Sequence, residues 1–232
     1  MPPDLLLVVI DDLGASDHGA ADASFTTPHL DALRASGTAL TSLYALPSCS
    51  PSRAALLTGR YPIRYGLQDG PLAPTSPRGL PLEETLLAQS LASAGYRTAA
   101  VGKWHLGFHT PDYLPTARGF DRFYGILTGG GGHTSHVTAV RPTPPRRGAR
   151  PSSRGAPQSA AAPDDPSTAQ QAAGDATVAE MYKGYNLWEN GVPAAADNEG
   201  GVHSTALYSA RAGDAVDALS ADHATPYFLY LA

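Results

Sequence analysis

Six consecutive aliphatic residues, Leu5-Leu6-Leu7-Val8-Val9-Ile10, run directly into a carboxylate pair, Asp11-Asp12. The run is too short to cross a bilayer and lacks the alternation of a half-solvated strand, so it predicts a central parallel strand covered on both faces. Parallel strands need helical crossovers, and the sequence supplies them. Residues 27–37 carry Pro28 at a first helical position and Gly37 at the end, predicting a helix, and 38–45 read as the next strand. Residues 51–58, closed by Gly59, and 82–94, with Leu82, Leu86, Leu87 and Leu91 at helical spacing, predict two further helices. A buried strand follows over 97–101. Order returns at 182–189, then in a helix over 205–221 capped by Ser204, and in a last core strand over 227–232. This alternation predicts an α/β fold, a mostly parallel sheet flanked by helices, with ligands at the carboxyl ends of its strands.

Composition limits the partners. With 16 Lys and Arg against 21 Asp and Glu, the net charge of -5 draws the chain neither to nucleic acid nor to an anionic membrane. No aromatic residue occurs from 126 to 181, and 141–166 holds seven Pro and five Arg. A disordered Pro/Arg/Ala-rich insertion is therefore expected at about 139–178. The single Cys49 excludes an intrachain disulfide or a cysteine-built zinc site. It leaves a buried thiol, a reactive thiol or a chemically special residue.

The chemistry-bearing residues cluster at predicted strand and helix ends. Asp11 and Asp12 repel when both are ionised, which suits open water, a shared proton or a hard cation such as calcium or magnesium. In Cys49-Ser50-Pro51-Ser52-Arg53, Pro51 supports a helix start whose free N–H groups favour an anion, and Arg53 adds a fork of donors a turn away. Lys103 and His105 flank Trp104 beyond the third strand. Extended backbone would turn both toward one site and Trp104 toward packing. His133 and His136 follow four glycines and read as a flexible polar loop.

The stretch Cys49-Ser50-Pro51-Ser52-Arg53-Ala54-Ala55-Leu56-Leu57-Thr58-Gly59-Arg60 resembles the signature of type I sulfatases, C-x-P-S-R followed by x-x-L-L-T-G-R. Gly102-Lys103-Trp104-His105-Leu106-Gly107 resembles that family's second signature, and Asp11-Asp12 its paired metal ligands. Residues 119–125, 184–188 and 228–232 look most like the arylsulfatase B group. The resemblance implies an alkaline-phosphatase-like sulfatase catalytic domain, truncated, with residues 1–232 forming its N-terminal part. It further implies that a formylglycine-generating enzyme converts Cys49 to formylglycine. The hydrated aldehyde would attack sulfur, with calcium held by Asp11, Asp12 and the residue at 49. Arg53 would stabilise the diol, Lys103 would neutralise sulfate oxygens and His105 would bind the second hydroxyl.

A sulfated small molecule or sulfated sugar is the implied substrate. The implied setting is the secretory route, lysosome, exterior or periplasm, although no signal peptide or membrane span is visible. The family's Asp-Asn pair, second Lys and second His have no matching positions here, so this chain alone is expected to be inactive or weakly active. The alternatives are a phosphonate or phosphate ester hydrolase built on the same residues, and a non-catalytic fragment.

Overall fold

The computed structural model describes residues 2–140 and 182–232. In chain order these form β1 (Leu5–Val8), α1 (Pro28–Ser36), α2 (Cys49–Thr58), α3 (Leu87–Ser93), β2 (Arg97–Lys103), β3 (Arg122–Ile126), β4 (Val137–Val140), β5 (Tyr182–Tyr185), β6 (Leu187–Glu189), β7 (Val192–Pro193), α4 (Ala195–Glu199), α5 (Ser204–Ser220) and β8 (Tyr227–Leu231). A six-stranded sheet has the order β1-β8-β2-β3-β6-β7. Its first four strands are parallel, and β6 and β7 are added antiparallel. β4 and β5 make a separate antiparallel pair. The α/β expectation holds. Of the expected insertion, only Ala139 and Val140 fall among the described residues, as the end of β4; the rest lies outside them.

The sheet has two cores because its strands are apolar on both faces. On one face Leu5, Leu7, Phe228, Tyr230, Ala100 and Phe123 pack with Ala54 and Leu57 of α2, Ala88 of α3, Trp104 and Phe120. Phe120 stacks at 6.1 Å from Phe228 and meets Trp104 edge-on at 6.2 Å. On the other face Ala99, Val101, Leu229 and Tyr124 pack under Leu207, Ala212, Val216 and Leu219 of α5.

Four details differ from the sequence expectation. Among the described residues β1 is an edge strand rather than a central one: α5 covers β2, β3 and β8 and leaves Leu6, Val8 and Ile10 about half exposed or more. Residues 38–45 form no strand, and Leu40, Leu43 and Tyr44 are exposed because nothing among the described residues pairs with them or covers them. α3 starts at Leu87, since the segment before it turns to hand the Glu84 carbonyl to Arg118 and the Glu84 carboxylate to Arg60. The cap of α5 is His203, whose ring accepts from the Thr205 N–H, and Ser204 is its first residue.

Candidate active site

Three separate segments meet at Asp11, just beyond the carboxyl end of β1. Lys103, the last residue of β2, donates from Nζ to Asp11 Oδ2 at 2.6 Å, and Arg53 Nη2 stands 3.4 Å from Oδ1. Both cations are buried, while Asp11 keeps an open side. Partial burial alone would raise the Asp11 carboxyl, but the Lys103 bond and charge and the Arg53 charge outweigh it and hold the group below its ordinary range. The sheet fixes Lys103 by backbone: its N–H donates to the Ala232 carbonyl at 2.7 Å. Gly102 allows this approach, because any Cβ there would collide with that carbonyl.

Arg53 is carried by α2. This helix begins at Cys49 and ends on Gly59, whose left-handed backbone donates to the Ala55 carbonyl. Pro51 sits in the first turn, where a missing N–H costs no helical bond. Cys49 and Arg53, four residues apart, lie one turn above each other on the same face. Cys49 is a half-buried free thiol at the open end of the helix. Arg53 Nη1 donates to the Lys103 carbonyl at 2.9 Å and to the Tyr230 hydroxyl at 3.1 Å. Its Nε has no hydrogen-bond acceptor among the described residues, and Nη2 makes only the 3.4 Å ion pair with Asp11. A buried guanidinium with donors so little used has capacity for an anion.

His105 joins from one residue past Trp104. The Ser50 hydroxyl accepts the Leu72 N–H at 3.0 Å, and the Leu72 carbonyl accepts from His105 Nε2 at 2.9 Å, which ties this ring to the start of α2. A carbonyl only accepts, so Nε2 carries the hydrogen and Nδ1 presents its lone pair, without a partner. Burial pushes the imidazole down to about 4, partly opposed by the Leu72 bond and helped by the Lys103 and Arg53 charges; it is neutral at pH 7. The alternation expected of Lys103 and His105 fails, because His105 has a left-handed backbone (φ 56). Trp104 does turn into the core, where its Nε1 donates to the Gly107 and Tyr113 carbonyls.

Asp11, Arg53 and Lys103 are thus in direct contact. Cys49 is connected to them through α2, and Asp12 shares a cleft with Asp11 and Lys103. For calcium, the donor chemistry of Asp11 and Asp12 is suitable: hard carboxylate oxygens, one of them uncommitted. The number of donors is low, since no group of three His, Cys, Asp or Glu able to hold a metal occurs among the described residues. The Asp11 carboxylate is already engaged by two cations.

The same cleft, of about 420 Å³, is walled on its far side by the glycine loop 129–132, His133, His136, Asn186, Ser204 and Tyr208. The loop expected from its glycines to be flexible is instead a wall of this cleft. Asn186, buried, staples it by donating from Nδ2 to the hydroxyls of Thr128 at 2.5 Å and Thr138 at 2.8 Å. The only sequence signal was the His133/His136 pair itself.

A sulfatase family model matches residues 3–144. Mouse (Mus musculus) arylsulfatase J is 36% identical over 99% of this chain and 32% of its own length. Bovine (Bos taurus) arylsulfatase A is 48% identical over 63% of this chain and 30% of its own length, and human (Homo sapiens) arylsulfatase A is 51% identical over 54% and 25%. The chain therefore spans about a third or less of these relatives. Among solved structures, the crystal structure of Ps i-CgsB superposes with a TM-score of 0.72 at 32% identity, covering all of this chain and 45% of that one. PsFucS1 sulfatase from Pseudoalteromonas sp. superposes at 0.62 with 26% identity, covering 99% and 43%. The matched segment contains Asp11, Cys49, Arg53, Lys103 and the elements β1, α2 and β2 that position them, and on that footing the chain belongs to the sulfatase family.

Proposed function

We propose that this chain carries the nucleophile and the anion-holding groups of an arylsulfatase-like sulfuric ester hydrolase. The observation that supports this most is the junction at Asp11, where two buried cations from separate segments share one carboxylate and one of them, Arg53, stands a helical turn from Cys49. A sulfate ester is a compact anion. Lys103 and the spare donors of Arg53 hold positive charge in a partly dry site, and such groups act most strongly on the charge that grows as the ester bond breaks. Nδ1 of neutral His105 is free to accept a hydrogen bond from a hydroxyl of the nucleophile.

Converted to formylglycine by a formylglycine-generating enzyme, the residue at 49 would supply a hydrated aldehyde as the attacking group. Calcium would be held by Asp11, Asp12 and the residue at 49, and when bound would polarise a sulfate oxygen. A sulfated small molecule or sulfated sugar is the proposed substrate. A sugar is favoured by the complex of Ps i-CgsB with k-i-k-neocarrahexaose and by the name of a porcine (Sus scrofa) relative, N-acetylgalactosamine-6-sulfatase. Among the described residues no helix is long and apolar enough to cross a membrane. By family resemblance the setting is the secretory route, lysosome, exterior or periplasm.

The test is co-expression with the modifying enzyme, followed by mass analysis of the Cys49 peptide and assay of sulfate release from an aryl sulfate. The expected result is conversion of the thiol to an aldehyde, weak turnover by this chain, and a loss on the order of 10²–10³-fold in kcat/KM for Lys103→Ala. Turnover with an unmodified thiol overturns the formylglycine nucleophile. Faster cleavage of a phosphonate ester reassigns the reaction, and a folded, modified chain with no turnover reduces it to a non-catalytic fragment.

A further inference from the structure

His136 is buried to 3% exposure, yet neither Nδ1 nor Nε2 has a hydrogen-bond partner among the described residues. An imidazole held this way forfeits the hydrogen bonds that water would give it, so buried polar groups without partners are uncommon and call for a ligand or a role. The ring is also held in place at a backbone cost. His136 has φ 51, the left-handed region that residues with a Cβ seldom occupy. Its N–H donates to the Gly132 carbonyl at 2.8 Å, and its carbonyl accepts from the Asn186 N–H at 2.9 Å. Asn186 is itself fixed to Thr128 and Thr138, so the loop cannot swing the ring outward without breaking buried bonds.

His136 is among the residues that line the same cleft as Asp11 and Lys103. Beside it, His133 Nδ1 and the Ser204 hydroxyl lie 2.8 Å apart, and the Ser204 N–H donates to the His133 carbonyl at 2.7 Å. This wall therefore offers imidazole, amide, hydroxyl and glycine backbone groups in the cleft that Lys103 also lines. The volume of about 420 Å³ accommodates one sugar ring and falls within the range of small-molecule sites. A neutral imidazole offers one donor and one acceptor, the complement of a hydroxyl that can do both.

We propose that His136 is a specificity-determining residue that hydrogen-bonds a hydroxyl of the alcohol portion of the sulfate ester, selecting polyhydroxylated substrates over aryl ones. The assignment rests on the sulfate-ester reading above and deepens it. Sulfate held at Lys103 would share its cleft with the 129–136 loop, where the rest of the substrate would lie. A ring rich in hydroxyls gains a partner there, whereas an aryl group leaves both nitrogens dry.

Calorimetric binding to the 232-residue chain tests this with three probes: inorganic sulfate, phenyl sulfate and glucose 6-sulfate. His136→Gly suits the left-handed backbone and removes the ring; His136→Asn suits the same backbone and keeps a shorter amide, which guards against a loss of fold in either one. Circular dichroism confirms that each variant is folded. The expected result is that His136→Gly weakens glucose 6-sulfate on the order of tenfold more than it weakens inorganic sulfate or phenyl sulfate, with His136→Asn in between. Equal effects on all three probes, or none, overturn the role of His136 while leaving the cation pair in place. Failure of the wild-type chain to bind any probe, or binding insensitive to Lys103→Met, overturns the sulfate-ester reading itself and this assignment with it.

Discussion

His105 carries a pH dependence whose direction follows from its surroundings. The folded ring titrates near 4 and the unfolded ring near 6.5, so between these values the unfolded chain binds more protons. Its contribution to stability is complete above pH 6.5 and is lost as pH falls toward 4, about 3 kcal/mol in all. Urea unfolding at pH 7, 5 and 4 is expected to show that much steeper an acid loss in the wild type than in His105→Asn, whose side chain tolerates the left-handed backbone. Parallel curves would remove this account.

Gly129 guards the same ring: a Cβ there would come within 2.5 Å of His105 Cε1. Gly129→Ala is therefore expected to cost about 1–3 kcal/mol in urea unfolding and to flatten the pH slope by dislodging the Leu72 bond. An unchanged midpoint would show that the loop yields. At this scale the sequence was readable where opposite charges stand at element ends, as at Asp11, Arg53 and Lys103, which the fold brings into contact. It was unreadable at His136, because the partners that hold the ring in place, Asn186 and Thr138, lie 50 and two residues away in sequence, and a glycine run looks the same whether loose or stapled.

Among the elements, β8 and β1 show how one residue type acquires different weight from its neighbours. Leu229 sits in β8 between β1 and β2, is 1% exposed and lies beneath α5, whereas its register partner Leu6 in β1 is 59% exposed on the same face. Leu229→Ala is expected to cost about 2–5 kcal/mol and Leu6→Ala less than about 0.5 kcal/mol, read as urea midpoints. Comparable losses would mean that β1 is covered on that face. The aliphatic run of 5–10 predicted a strand correctly and its position wrongly. An uninterrupted apolar stretch reports what a strand is able to bury, and which helices reach it is set by the span of α5. Residues 38–45 failed for the complementary reason: Leu40, Leu43 and Tyr44 have the composition of a strand but no neighbour among the described residues to pair with. α2 was legible at its end, where Gly59 acts through local backbone geometry alone, and two residues late at its start, since Pro51 is tolerated anywhere in the first turn and the helix begins at Cys49.

Taken as a whole, the molecule brings the ends of β1 and β2 and the start of α2 together so that one carboxylate, Asp11, serves two cations before any metal competes for it. Calcium seeks six to eight oxygens, and the described residues offer the pair Asp11 and Asp12, the former already neutralised by Lys103 and Arg53. The balance of charge, rather than the presence of acids, then limits affinity. A dissociation constant of about 1 mM would let 10 mM calcium stabilise the fold by about 1.4 kcal/mol, a rise of roughly 3–6 °C in Tm, and 0.1 mM calcium by almost nothing. Asp12→Asn is expected to abolish the rise, because it removes the carboxylate that carries no competing cation. Lys103→Met is expected to enlarge it, by releasing one oxygen of Asp11, even as it weakens sulfate binding. A shift of several degrees at 0.1 mM calcium, or a smaller response in Lys103→Met than in the wild type, would show that the cations at Asp11 do not compete with the metal.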